Sequence, residues 1–203
     1  RRDAETAERL AVAAVHPRCV PGDRDDRAAF HGAFGRRYRI DASHRYLDRY
    51  VRVAGISAVF LDTSAGTVAD EQLLWLRSLL ADLHRAATRG GTGTVVLIAT
   101  HYPLFSHPEK ELMTAERGGD VVDVLTAHVA GRVALEIAVC TGHGGTEHTA
   151  SVAGIRQYGV PALSAERPAI RILEVNEGTP LETAVMYGNT DGDGEARDDG
   201  RRI

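Results

Sequence analysis

Two amphipathic helix patterns, each followed by a continuous apolar run, constrain the fold of this chain most strongly. The first helix pattern covers residues 67–91 and the apolar run 94–105 follows it; a second pair covers 120–131 and 133–145. The leucines that share one face of the first helix are Leu73, Leu76, Leu80 and Leu83. Uninterrupted apolar strands are typical of a parallel sheet covered by helices. The sequence therefore predicts a layered α/β fold with a central sheet.

Weaker patterns surround these four elements. The predicted elements are helices over 3–15 and 25–35, the second capped by Asp25 or Asp26 and ended by Gly35, a strand over 17–22, two strands within 50–64 joined at Gly55, and short strands within 148–160, 169–178 and 181–189. We assign residues 1–188 to one domain. The polar segment 189–203 is predicted to be a disordered tail.

Charge and composition exclude several classes of partner. The chain has 203 residues and a net charge of −4, so no broad basic field attracts a nucleic-acid duplex or an anionic membrane. Its two cysteines, Cys19 and Cys140, fit a reducing compartment better than a disulfide framework, and we expect a cytoplasmic protein. An enzyme or a binding domain is the class that remains.

Reactive side chains collect where predicted strands end. They are Asp23, Arg24 and Asp25 after the first strand, Asp62 after the next pair, His101 in "ATHYP" and His143 in "CTGHGG". Side chains at strand ends carry the chemistry of many α/β folds. Two imidazoles and a carboxylate suit Mn, Fe or Zn, so Asp23, His101 and His143 form a candidate metal set. The alternative for both histidines is a place in the core, and Asp62 is predicted to be structural.

These segments, in this order and spacing, resemble the calcineurin-like metallophosphoesterases, and most of all their bacterial cyclic-nucleotide phosphodiesterase branch. "VPGDRDDRAAF" is similar to the family's Gly-Asn-His-Asp loop, "ATHYPLF" to its His-x-Pro segment and "TGHGG" to its Gly-His-x-His turn. "VFLDTSAGTVADEQLLWLRSLLA" is similar to its middle strand and helix. The resemblance runs from about Ala11 to about Val160.

The resemblance implies a metallophosphoesterase-type β-sandwich flanked by helices, with two metal ions that activate a hydroxide for attack on a phosphate ester. His101 and His143 match ligands of the second metal, and Asp23 takes the place of the loop Asn, also a ligand. Asp25 matches the acidic residue that ends the loop and orients its neighbours.

Three departures from the family pattern predict an altered site. Arg24 stands where the family has the His that protonates the leaving group, and Gly145 stands where the turn has its second His. The two opening motifs, Asp-x-His and Gly-Asp, are absent before Ala11, so we expect the fold to be incomplete at its N-terminal end. These departures predict one metal ion rather than two. His148 is a candidate replacement ligand, with a solvent-facing strand position as the alternative.

Two residues are candidates for contact with the substrate. Arg24 either binds phosphate through its guanidinium or pairs with a neighbouring aspartate at the surface. His107 lies in a loop near the predicted site. The sequence thus predicts a metal-dependent phosphoesterase or phosphodiesterase of impaired activity; the alternative is a non-catalytic member of the fold that binds a phosphate ligand or a protein. The expected partner is a phosphate-ester small molecule or a nucleotide, and an oligomer is left open.

Overall fold

The structure of the chain is a computed structural model. The residues it describes are 18–38, 40, 45–53, 55–90, 94–110, 112–129, 135–145, 147–160, 169–175 and 182–187. The predicted helix 3–15 and the predicted tail 189–203 lie outside these residues.

The described elements alternate as the sequence predicts. In chain order they are α1 (Arg27–Tyr38), β1 (Arg49–Val53), β2 (Ile56–Phe60), α2 (Asp70–Gly90), β3 (Thr94–Thr100), α3 (Gly118–Val129), β4 (Leu135–Thr141), β5 (His148–Val152), β6 (Ile155–Gly159), β7 (Ala169–Glu174) and β8 (Glu182–Tyr187). The first six strands form one mixed sheet in the order β1-β2-β3-β4-β6-β5, and β7 pairs with β8 in a separate antiparallel hairpin. The α/β prediction is confirmed.

The centre of the sheet is parallel. Strands β2, β3, β4 and β6 run in the same direction, whereas the edge strands β1 and β5 are antiparallel to their neighbours. Thr100 at the end of β3 lies opposite Thr141 at the end of β4. Because parallel neighbours end at the same edge, the loops that follow β2, β3 and β4 are brought together there.

Helices α2 and α3 cover one face of the sheet. The predicted leucine stripe of α2 is buried against the sheet, as are Val96, Ile98 and Val139. Side chains of alternate residues in a strand point to opposite faces, so Val95 and Leu97 lie on the other face. There they pack with Tyr158 of β6 and with Leu173 and Val175, in and just after β7. A second layer of β structure therefore covers the face that α2 and α3 leave open.

Two local predictions are wrong within the described residues. Residues 18–22 form no strand, because no neighbouring strand pairs with them and Pro21 has no N–H to donate to a ladder. Helix α1 begins after its N-cap Asp26 but continues past Gly35 to Tyr38. A Cβ on Gly35 would lie 2.7 Å from the imidazole of His31, so the glycine makes room for that ring and does not end the helix.

Both Cys19 and Cys140 are free thiols. Among the described helices, none is both long enough and apolar enough to cross a membrane.

Candidate metal centre

Three loops at the carboxyl end of the parallel strands bring the candidate ligands together. His101 comes directly after β3, and His143 comes two residues after β4. Asp23 lies in the turn that precedes α1. The ligand atoms of these three residues all lie within 4.8 Å of one another, and no other group of three or more His, Cys, Asp or Glu residues in the described part of the chain meets this condition.

Asp23 and His143 both contact the same ring nitrogen of His101. Nε2 of His101 lies 3.1 Å from Oδ1 of Asp23 and 3.0 Å from Nδ1 of His143. Octahedral ligands about 2.1 Å from an ion are roughly 3.0 Å apart, and tetrahedral ligands roughly 3.4 Å apart. The two separations therefore fit a shared cation after small side-chain adjustments, and the donor set of two imidazoles and one carboxylate suits Mn, Fe or Zn.

The backbone around His101 is fixed by two buried threonines. Oγ1 of Thr63, which is fully buried after β2, accepts hydrogen bonds from the N–H groups of His101 (3.1 Å) and Tyr102 (3.0 Å). The hydroxyl of Thr141 donates to the carbonyl of His101, and so does the N–H of His143; both distances are 2.8 Å. The loop of His101 is thus tied both to the end of β2 and to the loop of His143.

Aromatic packing and a glycine set the positions of the imidazole rings. The ring of Tyr102 stacks on that of His143, with 3.9 Å between centroids. On the other side, a Cβ on Gly22 would lie 3.3 Å from Cε1 of His101, so the turn that carries Asp23 approaches the ring closely. Oδ2 of Asp25 accepts a hydrogen bond from the N–H of Gly22 at 2.7 Å and closes this turn. Asp25 therefore holds the turn from which Asp23 projects.

The electrostatics of the cluster favour a neutral His101 and an ionised Asp23. Burial lowers the pKa of His101, the charge of His143 lowers it further, and Asp23 raises it in part. Partial burial raises the pKa of Asp23, but the charge and hydrogen bond of His101 and the charge of His143 outweigh it, so this pKa lies below its usual value. A neutral imidazole and a carboxylate are the forms that bind metals.

The site is open on the side of Asp23. The Asp23 side chain is 36% exposed, compared with 18% for His101. Water or a ligand can therefore reach the cluster from the loop that contains Arg24. That guanidinium is exposed, and within the described residues it forms no ion pair, so the predicted surface pairing with Asp23, Asp25 or Asp26 is not observed.

His107 and His148 lie apart from this cluster. His148, at the start of β5, is 97% buried, and its ring lies over Gly159, where a Cβ would come within 2.0 Å of it. Its Nε2 is 3.5 Å from Nε2 of Gln157. Nδ1 of His107 accepts a hydrogen bond from the N–H of Glu109. His148 is therefore neither solvent-facing nor a member of the metal cluster, and the candidate ligands are Asp23, His101 and His143.

The turn after His143 has a backbone conformation that favours glycine. Gly144 and Gly145 both have positive φ angles, of 90° and 60°. Side chains rarely adopt this part of φ/ψ space, although it is less unfavourable for His than for most residues. The absence of a histidine at position 145 is therefore matched by the backbone conformation of the turn.

Asp62 is structural, in agreement with the sequence prediction. It is 98% buried, and its carboxylate forms an ion pair with Arg27 of α1 at 2.6 Å. It also accepts hydrogen bonds from the N–H of Leu47 and from the N–H and hydroxyl of Ser64. These contacts attach α1 and the segment before β1 to the end of β2.

Several positioning residues escaped the sequence analysis. For three of them the sequence offers one indication, which is their position next to a candidate residue or at a strand end. Thr63 follows Asp62, Tyr102 follows His101, and Thr141 ends β4. Gln157 gave none: it is fully buried in β6, accepts a hydrogen bond from the N–H of Leu104 and donates to the carbonyl of Phe105. Gln157 thus anchors the loop after His101, although β6 is the third strand after β3 along the chain.

Comparison of the sequence with protein-family models gives no match, and comparison with curated proteins gives none either. The resemblance to the calcineurin-like metallophosphoesterases therefore depends on the motifs themselves. The α/β fold and the geometry of the histidine–aspartate cluster stand independently of it.

Proposed function

We propose that the chain binds one divalent transition-metal ion through Asp23, His101 and His143 and uses this site on a phosphate ester. The observation that carries the proposal is the convergence of a carboxylate and two imidazoles, each fixed by its own loop, at a solvent-accessible strand edge. A metallophosphoesterase-type fold is part of the same proposal. It is supported by the two histidines after successive parallel strands and by the second β layer on the opposite face of the sheet.

A metal ion held by Asp23, His101 and His143 would supply Lewis acidity toward a phosphoryl oxygen and would lower the pKa of a bound water. The residues of the chain hold the ion, fix the loop of His101 and bind the phosphate. Asp23 and the two histidines hold the ion, while Thr63 and Thr141 fix the backbone of His101. Arg24, exposed beside Asp23, offers a guanidinium that matches phosphate oxygens in a bidentate manner.

A non-catalytic phosphate-binding function is the second candidate, and Arg24 favours it. A guanidinium stays protonated near neutral pH and cannot deliver a proton to a leaving group. Gly145 points the same way, because the turn after His143 offers no second histidine as a ligand. A protein of this kind binds a phosphate ligand without turning it over.

Metal stoichiometry tests the first step of the proposal. The purified chain is incubated with Mn²⁺ or Zn²⁺, desalted and assayed for bound metal by plasma mass spectrometry. We expect about one equivalent, which is lost in His101→Ala and in His143→Ala. His107→Ala is the matched control, because it removes an imidazole from the neighbouring loop without touching the cluster. No metal in the wild type, or equal loss in the control, contradicts the proposed site.

Hydrolysis of bis(p-nitrophenyl) phosphate then separates the two functions. Turnover that requires the added metal and disappears in His143→Ala supports the phosphoesterase. Metal-dependent binding of inorganic phosphate without turnover supports the binding function.

A further inference from the structure

A cleft of about 1100 Å³ runs along the edge strand β1, between the end of α1 and the start of α2. None of the three metal-centre residues lines it. Its volume slightly exceeds the roughly 300–1000 Å³ typical of small-molecule sites, so a ligand of nucleotide size fits within it. Five arginines line this cleft: Arg18, Arg37, Arg45, Arg49 and Arg52. The two carboxylates in its lining are Asp48 and Glu71, so the cleft is basic although the whole chain carries a net charge of −4.

Arg49 is a buried cation in the wall of this cleft. Its residue is 7% exposed, and its guanidinium carbon lies 4.4 Å from the ring centroid of Tyr38 and 4.0 Å from that of Phe60. One Nη donates to the carbonyl of Cys19, whereas Nε and the other Nη have no hydrogen-bond partner in the described part of the chain. Burial lowers the pKa of Arg49 to about 10, so the side chain remains charged at neutral pH. A buried charge without a counter-ion is costly, and an anion in the cleft would offset that cost.

The remaining arginines are available to a ligand. Arg18, Arg37, Arg45 and Arg52 are all exposed, and within the described residues none of them forms an ion pair. Asp48 does not neutralise them, because its Oδ1 is occupied by the N–H of Asp62 and the amide of Gln72. Four guanidinium groups that face one cleft without carboxylate partners are suited to phosphate.

Aromatic residues supply the second half of the site. Tyr46, Tyr50 and Trp75 line the same cleft, and the guanidinium of Arg45 lies 5.4 Å from the ring centroid of Tyr46. Flat aromatic faces bind planar rings by stacking. We propose that the cleft binds a mononucleotide, its base against these rings and its phosphate among the arginines. A small ligand is favoured over a nucleic-acid strand because the net charge of the chain repels an extended polyanion.

The cleft lies near the metal centre but is separate from it. Arg49 pairs with Phe60 of β2, and Phe60 pairs with Ala99 of β3, two residues before His101. The backbone of β1 at Arg49 thus lies two strands, about 10 Å, from that of β3 at Ala99, close to the end of the sheet where His101 follows. Binding in the cleft does not require the metal ion, so this inference does not rest on the proposed function.

Trp75 is the one tryptophan of the chain and provides the readout. The full chain is titrated with AMP in EDTA, and Trp75 fluorescence is excited at the red edge of its absorption, away from the nucleotide. We expect saturable quenching, with inorganic phosphate and adenosine each binding at least about tenfold more weakly than AMP. Arg45→Gln and Arg52→Gln are expected to weaken AMP binding about tenfold each. Arg77→Gln is the matched control, because Arg77 is exposed on the same helix as Trp75 and lies outside the cleft.

Four outcomes overturn the proposal. The first is the absence of saturable quenching, and the second is equal weakening by Arg77→Gln and Arg45→Gln, which reports general electrostatics. The third is phosphate binding as tight as that of AMP, which shows that no base is recognised. The fourth is tighter binding of a thymidine oligonucleotide than of AMP, which identifies a strand-binding surface. Unchanged AMP affinity in His101→Ala supports the separation of the two sites, and its loss contradicts it.

Discussion

Nε2 of His101 lies 3.0 Å from Nδ1 of His143, and the same nitrogen lies 3.1 Å from Oδ1 of Asp23. A ring nitrogen carries at most one proton, so in the metal-free protein it cannot serve both neighbours as a donor. When a cation replaces that proton, all three ligand atoms are satisfied together. The arrangement therefore links metal binding to the protonation of His101.

The titration of His101 is the first prediction. Burial and the charge of His143 lower its pKa, so its neutral form persists to lower pH than in the unfolded chain. Proton NMR of the metal-free protein, with the His101 resonance assigned by its loss in His101→Gln, is expected to give a midpoint below about 6.5. Asp23→Asn is expected to lower the midpoint further, because Asp23 raises the pKa of His101. Asp82→Asn, a remote exposed position on α2, should leave it unchanged; a wild-type midpoint at or above the unfolded value contradicts the burial argument.

Thr63 is the second test, because two backbone N–H groups depend on its hydroxyl. Thr63→Val keeps the shape of the side chain but leaves the N–H groups of His101 and Tyr102 without an acceptor. We expect a loss of roughly 2–4 kcal/mol in the free energy of unfolding, measured in urea, together with weaker metal binding. Thr63→Ser retains the hydroxyl and removes one buried methyl, so it should cost about 1 kcal/mol and preserve metal affinity. Equal metal affinities in the two variants would exclude a positioning role.

Local patterns predicted the helices and the sheet, whereas tertiary contacts determined the details of the site. The leucine stripe of α2 and the apolar run of β3 depend on residues close in sequence, so periodicity was sufficient. The strand predicted over 17–22 failed because strand formation needs a partner that the local sequence does not specify. The burial of Arg49 between Tyr38 and Phe60 was equally hidden, since arginine usually marks the surface.

The candidate site also has a part that local sequence predicts and a part that depends on long-range contacts. Asp23, His101 and His143 were singled out because each follows a predicted strand. For His101 and His143 the reason holds, since β3 and β4 are parallel neighbours that end side by side. Asp23 is instead brought to them by the turn before α1, because the strand predicted ahead of it does not form. His148 also has metal-binding chemistry, but the register of β5 with β6 sets its ring against Gly159. The register between two strands is a long-range property. Spacing in the sequence therefore could not decide whether His148 is a metal ligand or a side chain buried against Gly159.

The third prediction concerns the pH dependence of stability. Burial raises the pKa of Asp48 to about 6, while hydrogen bonds from Asp62 and Gln72 lower it in part. The folded chain therefore holds this proton more tightly than the unfolded chain, whose Asp titrates near about 3.9. The resulting stabilisation is complete below the unfolded pKa and is lost as the pH rises through about 6.

Asp48→Asn keeps an acceptor oxygen and cannot ionise. We expect it to remove a decrease of roughly 1–3 kcal/mol in the free energy of unfolding between acidic and neutral pH, measured by urea denaturation across that range. Asp82→Asn, an exposed carboxylate on α2, serves as the control and should leave the slope unchanged. A slope that survives in Asp48→Asn would assign the pH dependence to another group.

The last prediction follows from the position of Arg24, exposed in the turn beside Asp23. A permanently charged guanidinium stabilises phosphate but gives no proton to the departing oxygen, so hydrolysis should depend steeply on the acidity of the leaving group. We expect measurable turnover of bis(p-nitrophenyl) phosphate and far slower turnover of diphenyl phosphate, whose leaving phenol is less acidic. Arg24→His introduces a proton donor and should raise the diphenyl phosphate rate about a hundredfold, whereas Arg24→Gln should not. Equal wild-type rates on the two esters, or an equal gain in Arg24→Gln, would show that protonation of the leaving group is not what this loop lacks.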